Sequence, residues 1–222
     1  MNKGVCRKMI AYTSCSNEYF HHYYDMWSKS MNYFYPELEK YIALYEPTEE
    51  QKKICKDDNI NIIDMNLYFN DTQPTKQHFY LARWLFLPYS KADHILCTQI
   101  NCVPVRKQLL EEDLSCELLR FVRQKGGRIG GIAAAIFSKE GARKTHEYSH
   151  SIINNPPKFD STVALWQTNN LDIQTLLCEL KVRQENLKIG EGIYWITPCS
   201  TGTKCSHKMK IKTLKHYLGK MI

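Results

Sequence analysis

Apolar and polar residues follow each other along this chain with two different periods, one typical of helices and one of strands. Phe20, Trp27 and Met31 recur at the spacing of one helical face. Short apolar runs bounded by polar turns indicate strands. Helices are predicted at residues 19–34, 76–89, 106–125, 159–167 and 172–184, with 49–56 either a helix or a polar loop insert. Strands are predicted at 5–14, 41–45, 61–65, 128–138 and 193–196, and a sixth begins at residue 94.

Particular residues support the predictions for three of these parts of the chain. Leu110, Leu114 and Leu118 lie along one face of the helix predicted for 106–125, which the Gly126-Gly127 pair would end. Gly130 and Gly131 lie in the strand predicted for 128–138, which indicates that another group approaches its backbone closely. His146 and His150 are four residues apart, and a plain surface helix is expected there.

The alternation of strands and helices predicts an α/β sandwich with a mainly parallel sheet. A chain of 222 residues with 43% apolar content can bury one sizeable core but is too short for two full domains. We therefore expect a single domain that comprises residues 1–222.

Cysteine usage and hydropathy indicate the environment of the protein. Nine cysteines at irregular spacing, without a Cys-x-x-Cys pair, favour neither a disulfide framework nor a zinc ribbon. No apolar run approaches the roughly 20 residues that a membrane-spanning helix needs. We expect a protein of the cytoplasm, or of the host cytoplasm if it is viral, with no membrane span.

Positive charge is concentrated at the carboxyl end. The net charge is +7, and no acidic residue follows Glu191. Such a segment attracts polyanions, or it forms a solvated and poorly ordered terminus. The lysines after Glu191 are Lys204, Lys208, Lys210, Lys212, Lys215 and Lys220.

The stretch His94-Ile-Leu-Cys-Thr-Gln-Ile-Asn-Cys-Val-Pro-Val-Arg-Lys107 resembles the sugar-nucleotide signature of GT-A glycosyltransferases. In that family a buried apolar strand runs into an Asp-x-Asp motif, whose carboxylates face one divalent ion. Here Gln99-Ile-Asn101 occupies the position of the motif, and neutral amides carry no charge to hold a hard cation. The closest similarity is to bacterial members of the histo-blood-group transferase family, which carry Asn-x-Asn and work without metal. We therefore expect no metal and no cofactor, with a nucleotide-sugar, UDP-linked, as co-substrate.

The order of the predicted strands, helices and loops is similar to that of GT-A enzymes over most of the chain. The resemblance implies a Rossmann-like sandwich with a nucleotide-sugar-binding half at 1–105, an acceptor half at 106–198 and a basic C-terminal segment at 199–222 that folds over the diphosphate. The implied donor-binding residues are Thr13, Ser14, Asn17, Tyr19, Arg83, Gln99, Asn101, Lys204, His207 and Lys208. The implied acceptor-binding residues are Gly130, Gly131 and Trp166.

Several of these residues have a second interpretation. Asp160 is the candidate catalytic carboxylate, and it is equally placed to cap a helix. Trp166 is either a core residue or a platform for a sugar. Arg83 lies on an apolar helical face, either as a surface group with a buried stem or as a buried phosphate contact.

The charge of the chain is the only feature of the sequence that indicates which acceptor the enzyme uses. A basic transferase without a membrane anchor is similar to the phage enzymes that add sugars to hydroxymethylated bases in DNA, and double-stranded DNA is the preferred acceptor. Lipopolysaccharide or another glycan and a protein side chain are the rival acceptors. The loss of both carboxylates also fits a different class of protein, a non-catalytic α/β module that binds nucleic acid.

Overall fold

A computed structural model describes residues 8–69, 76–104, 117–122, 124–125, 128–129, 134–154, 182–186 and 195–196, with Lys212, Lys215 and Gly219. The strands within these ranges are β1 (Met9–Cys15), β2 (Glu39–Leu44), β3 (Ile60–Asp64), β4 (His94–Gln99), β5 (Val103–Pro104), β6 (Leu118–Val122), β7 (Gln124–Lys125), β8 (Arg128–Ile129), β9 (Ala134–Ser138), β10 (Val182–Asn186) and β11 (Trp195–Ile196). The helices are α1 (Asn17–Phe34), α2 (Glu49–Asp57), α3 (Asn66–Phe69), α4 (Lys76–Leu85) and α5 (Lys139–Asn154).

One seven-stranded sheet organises the described residues, in the order β10-β6-β9-β4-β1-β2-β3. Strands β3, β2, β1 and β4 are parallel to one another, and β10 is parallel to β6. Strand β9 runs antiparallel to both β4 and β6. The predicted α/β sandwich with a mainly parallel sheet is confirmed. None of the described helices combines the length and apolar character needed to cross a bilayer.

The two faces of the sheet are covered by different helices because side chains alternate along each strand. Ala11 of β1 packs with Trp27 of α1 on one face, where Cys55 of α2 also lies. Tyr12 of β1 packs with Trp84 of α4 on the other face, together with residues of α3 and α5. Strands covered on both sides are almost continuously apolar, which explains why β1, β2 and β4 are recognisable in the sequence.

The first half of the chain follows the sequence-based prediction with small shifts of boundary. Strand β1 continues to Cys15, and α1 begins at Asn17 without the loop expected between them. Ser16 caps the helix, since its hydroxyl oxygen accepts a hydrogen bond from the backbone N–H of Tyr19. The segment from 49 forms helix α2 rather than a loop, because Thr48 and Gln51 form a capping box.

The helix predicted for residues 106–125 is wrong over its described part. Residues 118–122 form β6, which pairs with β9 on one side and β10 on the other. Leu118 and Phe121 satisfy a helical spacing, but the run Leu-Leu-Arg-Phe-Val is also a short apolar strand, and periodicity does not distinguish the two. Pairing with distant strands decides the outcome, and residues 105–116 lie outside the described ranges.

Two other boundaries differ from the prediction. The helix expected for 172–184 overlaps β10, so Val182 begins a strand instead of continuing a helix. The single strand expected for 128–138 is replaced by two, since β8 pairs with β7 as a hairpin whereas β9 joins the main sheet. The partners of β9 and β10 lie far along the chain, and local sequence carries little information about them.

His146 and His150 do not lie on a plain surface helix. The Nδ1 atom of His146 is 2.6 Å from the carbonyl oxygen of Leu85, and that of His150 is 2.6 Å from the hydroxyl of Tyr68. Their ring centroids are 4.3 Å apart. Both histidines therefore join α5 to the helical layer formed by α3 and α4.

Gly141 provides the first stability prediction. A Cβ atom added there would lie 2.1 Å from the carbonyl oxygen of Glu117, which is backbone and cannot move aside cheaply. We expect Gly141→Ala to lower the free energy of unfolding by about 1–3 kcal/mol, measured by urea denaturation. Lys139→Ala, an exposed change in the same helical turn, is the matched control. Equal stability of the two variants would contradict the close approach.

His150 leads to a prediction about how folding stability depends on pH. Burial, reinforced by the neighbouring His146, lowers the pKa of His150. The unfolded chain therefore takes up the proton first as the pH falls, and stability present at neutral pH is lost below about pH 6.5. We expect His150→Gln to make the loss of stability between about pH 7 and 5 shallower than in the wild type. The exposed His21→Gln serves as control, and equal slopes for all three proteins would refute the assignment.

Candidate functional site

The sheet topology singles out one crevice. From β1 the chain moves outwards to β2 and β3, then returns to β4 on the opposite side of β1. Ligands of open α/β sheets bind at such a reversal, outside the carboxyl ends of the strands. Here the crevice lies between the start of α1 and the turn that follows β4. The residues at its two sides are Ser14 to Asn17 and Gln99 to Cys102.

Ser14 and Gln99 lie side by side at the edge of this crevice. They are register partners at the ends of the parallel strands β1 and β4. By alternation, Ser14 shares a sheet face with Tyr12, and Gln99 shares it with Cys97. Both side chains are partly exposed, so each can contact a ligand.

The position of the replaced motif is a tight turn. The carbonyl oxygen of Gln99 accepts a hydrogen bond of 2.8 Å from the backbone N–H of Cys102, which closes the turn. Asn101 lies within it and is partly exposed. The two amides therefore lie on the rim of the crevice, where they can donate and accept hydrogen bonds but bring no charge.

Thr13 is placed behind the crevice. Its side chain is completely buried, and its hydroxyl donates a hydrogen bond of 2.9 Å to the carbonyl oxygen of Thr98. The indole Nε1 of Trp27 donates to the hydroxyl of Thr98 at 2.9 Å. These bonds connect β1, β4 and α1 beneath the site, so in this structure Thr13 has a supporting position, and its predicted contact with a donor stays a prediction.

The amino ends of α1 and α2 are joined beside the crevice. The side-chain oxygen of Asn17 accepts a hydrogen bond of 3.3 Å from Nε2 of Gln51, which is completely buried. Tyr19 is partly exposed two residues further along the first helical turn, with its ring 5.4 Å from that of Tyr23. Sequence reasoning missed Ser16 and Gln51, although the pattern Thr48-x-x-Gln51 is a recognisable capping box.

Arg83 is mostly buried rather than a surface group, and its predicted contact with phosphate stays a prediction. It belongs to α4, and its guanidinium carbon is 4.1 Å from the centroid of the Trp84 ring. Its Nη1 atom is buried without a hydrogen-bond partner among the described residues. The described groups that act on its charge are Cys97, Cys102 and Tyr12. Arg83 is therefore largely buried behind the strand end that carries Gln99.

The groups around Arg83 are neutral. Burial raises the pKa of the Cys97 thiol to about 12, although Arg83 opposes the shift. Burial also raises the pKa of Cys102 and of the Tyr12 phenol well above their usual ranges. Burial lowers the pKa of Arg83 itself, but an arginine keeps its proton at neutral pH. Arg83 thus carries a positive charge that these described neighbours do not neutralise.

The remaining predicted site residues lie outside the described ranges. They are Gly130, Gly131, Asp160, Trp166, Lys204, His207 and Lys208. Strand β11 nevertheless shows where the basic segment originates, because Ile196 pairs with Val103 and Trp195 with Pro104. In the described part of the chain, no three His, Cys, Asp or Glu side chains are grouped as a metal site would require.

Comparison with known proteins adds a result on the fold. No protein-family model matches the chain, and no curated protein matches it in sequence. Among solved structures, the galactosyltransferase LgtC in complex with donor and acceptor sugar analogs matches 80% of this chain and 73% of its own, with a TM-score of 0.54 at 15% identity. The apo form of the glycosyltransferase GlyE of Streptococcus pneumoniae TIGR4 matches 82% of this chain with a TM-score of 0.53 at 13% identity.

These similarities define the class of fold. Both structures are glycosyltransferases, and the doubly wound sheet with its reversal between β1 and β4 agrees with them. The chain therefore has the GT-A glycosyltransferase fold. It spans 45% of the length of GlyE, so that protein contains much that has no counterpart here.

Proposed function

We propose that this protein is a glycosyltransferase that moves a sugar from a nucleotide-sugar donor, with UDP as the expected nucleotide, to an acceptor hydroxyl without a divalent metal. The observation that carries the proposal is the crevice at the paired strand ends of Ser14 and Gln99, which lies at the strand reversal of a GT-A fold. Polar groups on its rim and the nearby guanidinium of Arg83, which its described neighbours do not neutralise, fit a ligand that combines hydroxyls with a diphosphate.

The donor would lie along the rim of the crevice. Asn17 and Tyr19 lie in the first turn of α1, where the helix dipole favours an anion, and Ser14 lies just before it at the end of β1. Gln99 and Asn101 would bind hydroxyls of the ribose or of the transferred sugar, since an amide both donates and accepts hydrogen bonds. Thr13 would support this arrangement from behind rather than contact the donor.

Cleavage of the donor leaves negative charge on the departing diphosphate, and groups that stabilise it lower the barrier. We assign part of this role to Lys204, His207 and Lys208. Strand β11 brings the chain beside β5, just after the turn with Gln99, and these residues follow it within the next 12 positions. Extended chain advances about 3.3–3.6 Å per residue, so the segment is long enough to return to the crevice.

Asp160 is the proposed catalytic carboxylate, with Gly130, Gly131 and Trp166 at the acceptor. A hydroxymethylated base in double-stranded DNA is the preferred acceptor, supported by the six lysines that follow Glu191. An enzyme acting on such a base has to extrude it from the duplex or bind it while it is unpaired. The neutral Gln99 and Asn101 also favour a second candidate function, a non-catalytic module that binds nucleic acid.

The metal prediction is tested by nucleotide binding. We expect UDP to raise the thermal midpoint of the wild type equally with and without EDTA, with about 2.7 kcal/mol of stabilisation at a 100-fold excess over Kd. The double variant Gln99→Asp with Asn101→Asp restores two carboxylates and should make UDP binding depend on Mn²⁺.

Asn59→Asp, at the exposed end of α2, controls for added negative charge and should bind UDP as the wild type does. Loss of wild-type binding in EDTA, with recovery in Mn²⁺, would overturn metal independence. Stabilisation by duplex DNA but by neither UDP nor UDP-sugars would favour the non-catalytic module.

The acceptor prediction is tested by mass spectrometry of hydroxymethylated DNA after incubation with mixed UDP-sugars. We expect an added hexose or pentose mass, and Asp160→Asn should abolish transfer while DNA binding persists. If about half of the terminal lysines contact phosphates, log affinity should fall against log salt with a slope of roughly 2 to 3. A flat salt response with sugar appearing on a glycan or protein would exclude DNA as the acceptor.

A further inference from the structure

The two histidines of α5 lie outside the crevice, and the proposed function does not use them. His146 and His150 are four residues apart, so their side chains leave the same face of the helix from consecutive turns. Their ring centroids are 4.3 Å apart, with an angle of 63° between the ring planes. Imidazole rings at this separation are close enough for one nitrogen of each to contact the same ion.

Hydrogen bonding determines which nitrogen of His146 is available. Its Nδ1 atom is 2.6 Å from the carbonyl oxygen of Leu85. Because a carbonyl oxygen only accepts hydrogen bonds, Nδ1 carries the proton of this contact, and the neutral ring keeps a lone pair on Nε2. A bond from Nδ1–H to a backbone carbonyl is also the contact that orients many histidine ligands of metal ions. His146 is partly exposed, so an ion from solution can reach it.

His150 presents the same nitrogen. Its Nδ1 atom is 2.6 Å from the hydroxyl oxygen of Tyr68, and its Nε2 atom is buried without a hydrogen-bond partner among the described residues. Buried polar atoms of folded proteins nearly always have a partner, and a bound ion is one group that supplies it. When the hydroxyl of Tyr68 accepts the proton of Nδ1, the lone pair of Nε2 is free to bind such an ion.

Aromatic contacts hold both rings in place. The ring of Tyr89 lies 5.1 Å from that of His146, and the ring of Tyr68 lies 5.1 Å from that of His150 and 5.2 Å from that of Phe86. Because the free protein already restricts these side chains, little side-chain entropy is lost when an ion binds. The pair is therefore preorganised.

We propose that His146 and His150 form a two-histidine chelate for a late first-row divalent ion, the class of Ni²⁺, Cu²⁺ and Zn²⁺ that imidazole nitrogens bind well. The described residues do not form a closed centre of three His, Cys, Asp or Glu ligands, so the site is an exchangeable one whose coordination water completes. The ion joins two turns of α5 and stabilises the folded chain. None of these residues belongs to the rim of the crevice.

The test is calorimetric titration of the untagged full chain with NiCl₂, after treatment with EDTA and its removal. His146→Gln and His150→Gln should each weaken the binding of one Ni²⁺ per chain by about tenfold or more. Tyr68→Phe keeps the ring but removes the hydroxyl that orients His150, and it should weaken binding about tenfold. His21→Gln, an exposed change on α1, is the matched control and should bind as the wild type does.

A measurement on the wild type keeps the test decisive if a histidine variant folds poorly. Co²⁺ is paramagnetic, so a substoichiometric amount should broaden the ring proton signals of His146 and His150 before those of His21. Thermal midpoints in EDTA then separate a loss of folding from a loss of the ion. Ni²⁺ should raise the midpoint of the wild type and of His21→Gln, and it should raise those of the two α5 variants less.

Three results would overturn the chelate. They are wild-type affinity for Ni²⁺ in both α5 variants, broadening that spares the rings of His146 and His150, and no binding of Ni²⁺, Cu²⁺ or Zn²⁺ by the wild type. Each of them would leave the transferase proposal standing. Failure of the wild type to bind UDP or any UDP-sugar would overturn the proposed donor and leave the ion site intact.

Discussion

The parallel pairing of β1 with β4 is the constraint on which the site depends. It places Ser14 beside Gln99 at the ends of the two strands, in a register that joins residues 85 positions apart in the sequence. Thr13 and Thr98 fix this pairing from one face through a buried hydrogen bond, and Trp27 connects both to α1. A shift of one residue in register would exchange the two faces and turn Gln99 to the face of α1. The interior of the sheet thus determines which polar groups meet at the crevice.

The charges around this crevice differ from those around a metal site. Its rim is formed by amides, hydroxyls and helix amino ends, which orient a ligand but contribute little net charge. Near the strand end that carries Gln99, the guanidinium of Arg83 lies among neutral thiols and a phenol. A charge in a poorly hydrated environment acts more strongly on nearby charges than an exposed lysine does. Such a buried guanidinium lowers stability unless another group compensates its charge.

The sequence predicted the first half of the fold well and the second half poorly. Strands β1, β2, β3 and β4 are buried by helices that follow them closely, so apolar runs and helical spacing mark both. Strands β6 and β10 pair with segments far along the chain, and their residues satisfy a helical period equally well. The positions of Ser14, Gln99 and Asn101 followed from their places at strand ends. The burial of Thr13 and the isolation of Arg83 did not, because both depend on which neighbours the tertiary structure supplies.

The pairing of β5 with β11 brings the start of the basic C-terminal segment near the crevice. Strand β5 is fixed to α1 through the hydroxyl of Ser30, which donates a hydrogen bond of 2.5 Å to the carbonyl oxygen of Pro104. Strand β11 is thereby held beside the crevice, and the basic segment begins close to it. A tethered segment has a high effective concentration at its site but loses conformational entropy each time it closes. Under the proposed function, the lysines of this segment would therefore lose that entropy at each event of donor binding, whereas the rim residues of β1, β4 and α1 are ordered once, on folding.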